Sequence, residues 1–347
     1  MMPRGSGSLW SLRRMYQSQK SPGAKPARVI SRAEIDTPPV FSSQHRSGRL
    51  EAHGRVVFLR KEPTPPRGLG STDYVSDDYI HGFSPEEQAR LTRMQDILNH
   101  RELEQLDLRG VSSILDVGAG LGQMTRALAR AAGPGTRVVG IERDERQRAE
   151  AMRQAREAGE DALMELRPGD ATDLPLTDDE RKSFDLVHAR FLLEHVTHPE
   201  QVVREMVSAA RPGGRVVLFD DDHDLLRLWP GCPGVEQAWR AYWESYADHG
   251  CDPLVGRRLA ALLSAAGCAT VRTTAVFYGA TIGEPLFPLV VDNLRGVLAG
   301  AADALDAAGR LPRADLESEL AELDAWRSQP GATLWYSLPL AEGIVPK

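Results

Sequence analysis

From Ser112 onward, short apolar runs alternate with amphipathic stretches, and each pair has the length of one strand and one helix. Ile114–Val117 predicts a buried strand, and Leu121–Ala132 predicts the helix that follows it. Val138–Ile141 predicts a second strand and Asp144–Ala158 a charged helix. Leu163–Leu166 reads as a weaker third strand and Phe184–Ala189 as a fourth, followed by a helix from Glu194 to Ala210. Arg211-Pro212-Gly213-Gly214 reads as a turn into a fifth strand, Val216–Phe219. Leu259–Ala266 predicts a further helix with Gly267 as its cap. Thr270–Tyr278 and Thr333–Leu338 read as two late strands, with helices filling 286–327 between them. Upstream, Ser84-Pro85-Glu86-Glu87 predicts a helix start, continued by Leu91, Met94, Ile97 and Leu98 at helical spacing. Units of this kind imply an α/β, Rossmann-like fold with a seven-stranded, mostly parallel sheet, helices on both faces and a helical insertion before the last strand.

Residues 1–70 follow no such period. They hold 8 Pro, 7 Gly and 9 Ser, and 13 Lys/Arg against 4 Asp/Glu. A stretch of this composition buries too little apolar surface to offset its ordering entropy, so 1–70 reads as a disordered basic extension and 71–347 as the folded domain. The whole chain is nevertheless net −7, which leaves the main body strongly acidic. An acidic body repels phosphate backbones and argues against a nucleic-acid substrate, while the basic arm could recruit a partner. No apolar run approaches a membrane span. Three cysteines, Cys232, Cys251 and Cys268, form neither a CxxC pair nor an even set, which fits a reducing cytoplasm.

The sharpest chemical signal is Leu115-Asp116-Val117-Gly118-Ala119-Gly120-Leu121-Gly122, a strand running through glycines into a helix. Glycines let backbone approach a ligand, and a helix start offers free N–H groups. The dinucleotide fingerprint GxGxxG fails here, because Gln123 stands where its third glycine belongs. The DxGxGxG spacing instead suits a ligand with an amino-acid end. Glu142, at the end of the second strand, can accept hydrogen bonds from vicinal ribose hydroxyls. Asp170, after the third, can accept one from an exocyclic adenine amine. The fourth strand, Phe184 to Arg190, ends where a parallel sheet reverses its strand order and ligands bind.

In order and spacing these segments resemble the class I S-adenosylmethionine-dependent methyltransferases, from about Tyr79 to the C-terminus. Tyr79-Ile80-His81-Gly82-Phe83-Ser84, and later Asp252-Pro253 with Gly256-Arg257-Arg258-Leu259, resemble a group of bacterial small-molecule methyltransferases. Leu193-Glu194-His195 is similar to a segment of the quinone-biosynthesis enzymes. The resemblance implies S-adenosylmethionine as methyl donor. Gly118, Ala119, Gly120, Gly122 and Gln123 would line its methionine part, with Asp116 near the amine. Glu142 would hold the ribose, Arg143 would lie beside the adenine, and Asp170 and Ala171 would meet its amine and ring. Ala189 and Arg190 would border the sulfonium and carboxylate, Tyr79 would come from an N-terminal lid, and 286–327 would cap the substrate.

The acceptor side is less defined. His195, Asp221 and His223 are the candidates for an acceptor's proton. Each has a plainer reading: His195 as a core or capping histidine, and Asp220-Asp221-Asp222-His223 as a polar loop end. That loop could also bind a divalent cation or steer a cationic amine, but its spacing assigns no metal ligand. Trp239, Tyr242, Trp243 and Tyr246 recur at three and four residues and make an aromatic helix face, with Trp229 nearby. Phe287, Asn293 and Trp326 could close a pocket from the inserted helices, while Arg257 and Arg258 read as ion-pair formers. Ala189-Arg190-Phe191-Leu192 lacks the Asn/Asp-Pro-Pro-aromatic motif of amino-methylating DNA enzymes. A small-molecule acceptor remains. The rival readings are an aminopropyl transferase or NAD enzyme on a similar fold, and a non-catalytic binding module.

Overall fold

The computed structural model describes residues 85–347, with side chains from residue 94 onward. The expectations for 1–70, for Tyr79 and His81 and for the Ser84 cap lie outside the described residues. The chain runs α1 (Pro85–Leu103), β1 (Ser113–Val117), α2 (Gln123–Ala132), β2 (Arg137–Glu142), α3 (Glu145–Glu157), β3 (Glu165–Pro168), β4 (Phe184–Arg190), α4 (Pro199–Ala209) and β5 (Ala210–Phe219). It continues through β6 (Arg227–Trp229), α5 (Pro233–Glu244), α6 (Leu259–Ala265), β7 (Thr270–Phe277) and β8 (Ala280–Thr281). The inserted helices α7 (Phe287–Gly300), α8 (Ala302–Ala307) and α9 (Arg313–Trp326) precede β9 (Thr333–Trp335) and β10 (Ser337–Ile344).

Seven strands form the main sheet in the order β3-β2-β1-β4-β5-β10-β7. The first five pair in parallel, while β10 runs antiparallel to both its neighbours. A parallel sheet covered on both faces needs continuous apolar runs. The four residues from Ile114 to Val117 in β1 are accordingly all buried. Ile114 belongs to the core layer built with α2, α5, α7 and α9, whereas Leu115 and Val117 face the layer built with α4 and α6. β1 and β4 are neighbours whose crossovers leave in opposite directions, so the crevice for a ligand opens at their C-terminal ends.

Local chemistry sets the boundaries. Gly122 is left-handed at φ 66°, which delays α2 to Gln123. The side chain of Asp144 accepts from the Gln147 N–H at 2.8 Å and caps α3. Asp144→Ala is expected to lower stability by about 1 kcal/mol. That is a fall in Tm of roughly 2–4 °C by calorimetry.

Three expectations need correction. The helix from Glu194 to Ala210 is broken: Leu193–His195 is a single 3-10 turn, and α4 starts only at Pro199. A proline lacks the N–H for a helix interior and pushes His198 before it out of the helical region, to φ −130° and ψ 64°. The turn at Arg211–Gly214 is a bulge within β5, where the register against β4 slips between Phe184 and Leu186. Gly213 N–H donates to the Val345 carbonyl there, at 2.9 Å. Thr333–Leu338 is not one strand: it splits at Tyr336 between β9 in a three-stranded sheet, β6-β9-β8, and β10 in the main one.

Candidate functional site

The glycine loop leaves β1 with Gly118, Gly120 and Gly122 all at positive φ. Gly118 and Ala119 N–H donate to the Ile141 carbonyl of β2, at 2.8 and 2.9 Å. A Cβ on Gly118 would stand 2.9 Å from Leu192, so the loop runs close beneath that side chain. Glu142 secures the loop from β2. Its Oε2 accepts from Gly120 N–H at 3.0 Å, and its Oε1 accepts from Asp144 N–H at 2.9 Å. Beyond β3, Asp170 holds its own turn: Oδ1 accepts from Thr172 N–H and from Thr172 Oγ1–H, at 2.7 and 2.6 Å.

These groups share one cleft. Of the sequence-predicted residues, Gly118, Glu142, Arg143, Asp170, Ala171 and His195 line it. Leu192 and Val196, which sequence reasoning missed, supply apolar walls opposite the carboxylates. Two carboxylates are the acceptors that ribose hydroxyls and an adenine amine require, and Gly118, Gly120 and Gly122 leave the loop backbone open at those three positions, so the residues fit the methyl donor.

Asp116 and Arg190 are both held by partners within the chain. Asp116 is buried: Oδ2 accepts from Thr125 Oγ1–H at 2.5 Å, and Oδ1 lies 2.8 Å from His188 Nδ1. The other nitrogen of His188, Nε2, lies 2.6 Å from Glu102 Oε1 on α1. Arg190 turns away from the cleft to α1, donating to Asn99 Oδ1 at 2.7 Å, Gln95 Oε1 at 2.6 Å and Glu102 Oε2 at 3.2 Å. Asp116, His188, Glu102 and Arg190 thus form a buried chain that fixes α1 to the ends of β1 and β4. His188 and Glu102 carried no motif, and only their burial exposes their part. Ala189 is buried in β4, and Gln123 opens α2.

The acceptor candidates divide. Asp220 is a structural clamp, with Oδ2 accepting from Leu192 and Leu193 N–H at 3.0 and 2.7 Å. Asp222 is held by Arg257 through two bonds of 2.7 Å, and Arg258 pairs with Asp252, so both arginines serve as ion-pair formers. Asp221 and His223 meet. Tyr336 Oη–H donates to Asp221 Oδ1 at 2.5 Å and lies 3.2 Å from His223 Nδ1, whose other nitrogen is 2.8 Å from Glu194 Oε2. Burial drives the Asp221 carboxyl up to about 7; His223 opposes this and the charge of Glu194 adds to it. Burial pushes His223 down, but Asp221 and Glu194 outweigh it and leave the imidazole raised. His195 is not in this cluster: its side chain is 54% exposed, stacks on Tyr246 and has Glu194 Oε1 at 3.4 Å.

Glu194, Asp221 and His223 each offer a ligand atom within 4.8 Å of the others. Those atoms already serve one another and Tyr336 as hydrogen-bond partners, so the grouping reads first as a proton network. Trp239, Tyr242 and Tyr246 pack around the His223 ring at 5.2–5.8 Å. Trp229 stands apart from them on β6, 73% exposed. Phe287 and Trp326 are core residues packed on each other, whereas Asn293 faces a second cavity.

Residues 115–218 match a family model described as a methyltransferase domain. A 37.1 kDa protein in transposon TN4556 of Streptomyces fradiae is 35% identical over 58% of this chain and 57% of its own. The demethylmenaquinone methyltransferase of Lactobacillus johnsonii is 28% identical over 42% of this chain and 56% of its own. The 27-O-demethylrifamycin SV methyltransferase of Amycolatopsis mediterranei is 34% identical over 45% of this chain and 54% of its own. The chain therefore spans a little over half the length of these curated relatives.

Proposed function

We propose that this chain, which carries a class I S-adenosylmethionine-dependent methyltransferase domain, moves a methyl group from S-adenosylmethionine to an O, N or C atom of a small molecule. The observation that carries this reading is the convergence of Gly118, Glu142 and Asp170 on one cleft at the sheet's switch point. The donor supplies a methyl group already activated on a sulfonium. Glu142 accepts from the ribose hydroxyls, Asp170 from the adenine amine, and Ala171, Leu192 and Val196 pack on the base. The glycine loop takes the amino-acid tail. Catalysis then rests on alignment and exclusion of water, with Asp221 and His223 on the acceptor side to hold a proton.

The named relatives act on a quinone precursor and a rifamycin, which supports a small metabolite or natural-product acceptor here. The acidic body supports the exclusion of nucleic acid. Among the described residues no helix is long and apolar enough to cross a membrane. The three unpaired cysteines support a reducing, cytoplasmic location. In this reading the helices of 286–327 cap the acceptor, and the basic arm at 1–70 is free to recruit a partner.

The test is incubation with methyl-labelled S-adenosylmethionine and fractionated metabolites of the host cell, following which compound gains label. Gly120→Arg, at φ 53° beside Glu142, is expected to reduce transfer at least about 100-fold. Full activity in that variant contradicts the site.

A further inference from the structure

His195 lines the donor cleft beside Asp170, Ala171, Leu192 and Val196. Its place follows from the turn that carries it. Leu193–His195 is a 3-10 turn in which His195 N–H donates to the Leu192 carbonyl at 3.0 Å, and Asp220 Oδ2 pins the turn by accepting from Leu192 and Leu193 N–H. Side chains three apart in such a turn eclipse, so Leu192 and His195 stand on one side and both reach the cleft. Glu194, about 120° away round the turn, is buried instead.

One carboxylate there meets two imidazoles. Glu194 Oε1 lies 3.4 Å from His195 Nε2, and Oε2 lies 2.8 Å from His223 Nε2. Tyr246 repeats the link. Its ring stacks on His195 at 5.7 Å and 25° and lies 5.4 Å from the His223 ring, while its hydroxyl is fixed 2.9 Å from that of Tyr242. The half-exposed imidazole of His195 is thus held on one face by Tyr246 and at its Nε2 edge by Glu194, which leaves the other face to the cleft.

We infer that this open face of His195 is a stacking wall for the adenine of the donor, and that Glu194 is the positioning residue that holds the ring in place. The inference rests on the methyl-transfer reading and adds two residues to its donor site. Asp170 offers an acceptor to the edge of a base, and Ala171, Leu192 and Val196 offer apolar contact. Among the described residues that line the cleft, His195 is the one with an aromatic plane, the surface on which a flat heterocycle packs. A half-exposed ring free to rotate would lose entropy when a ligand ordered it. A ring already clamped by a carboxylate and a tyrosine is ordered beforehand, so the stack costs less to form. The same carboxylate ties this wall to the buried network of His223, Tyr336 and Asp221, so the donor cleft and that network share Glu194. A histidine serving instead as the acceptor's base would act on transfer alone and leave affinity for the demethylated product untouched.

The probe is S-adenosylhomocysteine, titrated calorimetrically into the full chain as wild type, His195→Ala, His195→Phe, Glu194→Gln and the double variant of His195→Ala with Glu194→Gln. His195→Ala is expected to weaken binding about tenfold, the size of losing one stacking partner of a base. His195→Phe keeps a ring face and should recover most of that loss. Glu194→Gln should weaken binding about threefold when His195 is present and not at all in His195→Ala, because Glu194 acts through the ring it positions. In the wild-type complex the His195 ring protons should show nuclear Overhauser contacts with the adenine ring protons. His195→Ala with wild-type affinity, His195→Phe as weak as His195→Ala, a Glu194→Gln effect that persists without His195, or no contact between imidazole and adenine would each overturn the proposal. Absence of heat with S-adenosylhomocysteine in the wild-type protein would instead sink the methyl-transfer reading beneath it.

Discussion

Replacing His188 with leucine is expected to lower the unfolding free energy by about 3–5 kcal/mol, because it leaves two buried carboxylates facing each other without their shared cation. Asp116 Oδ1 and Glu102 Oε1 approach the two ring nitrogens to 2.8 and 2.6 Å, and the imidazole is wholly buried. Burial alone would push its pKa down. The charge of Glu102 and the hydrogen bonds to Asp116 and Glu102 overcome that and hold it at about 9. The unfolded histidine titrates near 6.5, so the folded value is raised. Its stabilisation is therefore complete below about pH 6.5 and is lost as pH rises through about 9. Urea titrations across that window should show wild-type stability falling with pH, and His188→Leu should remove that dependence along with the stability. A variant as stable as wild type at pH 6 would mean that this chain does not hold α1 to β1 and β4.

The second large effect is on ligand affinity. Glu142→Ala is expected to weaken S-adenosylhomocysteine binding at least about 100-fold, roughly 3 kcal/mol. Two hydrogen bonds from ribose hydroxyls to a carboxylate are each worth about 1.5–3 kcal/mol, and their loss accounts for the figure. The alanine also frees Gly120 N–H and Asp144 N–H, so the loop loses its tie to the end of β2. Glu142→Gln keeps the size and one acceptor oxygen, and should recover part of the affinity. Calorimetric titration of the three proteins separates the outcomes. Equal affinity in Glu142→Ala would place the sugar elsewhere.

Much of the parallel half of the sheet could be read directly, because buried parallel strands such as Ile114–Val117 and Val138–Ile141 advertise themselves as unbroken apolar runs between helical patterns. The C-terminal part was harder. β6, β8 and β9 are two or three residues long, too short for any period to register. β10 runs on through Pro339 and Gly343, which read as breakers until the antiparallel pairing to β5 and β7 is known. The lining of the cleft was largely legible because its groups sit at fixed offsets from strand ends: Gly118 after β1, Glu142 ending β2, Asp170 after β3. Val196 was missed because a helix was expected from Glu194, where a 3-10 turn presents it to the cleft. Glu102 and Tyr336 carry no local signal at all. Each acts through a partner far along the chain, His188 at 86 residues from Glu102 and Asp221 at 115 from Tyr336, and sequence spacing does not encode such distances. Spacing likewise did not show that the Arg190 guanidinium pairs with Asn99, Gln95 and Glu102 on α1.

The account stands on where the donor lies. A crystal structure of the full chain with S-adenosylhomocysteine is predicted to show the ribose hydroxyls on the carboxylate of Glu142, the adenine amine at Asp170 and the amino-acid tail over Gly118 to Gly120. A structure with the ligand bound elsewhere, or with Leu192 and His195 closed onto the glycine loop and the cleft filled at saturating ligand, would contradict it.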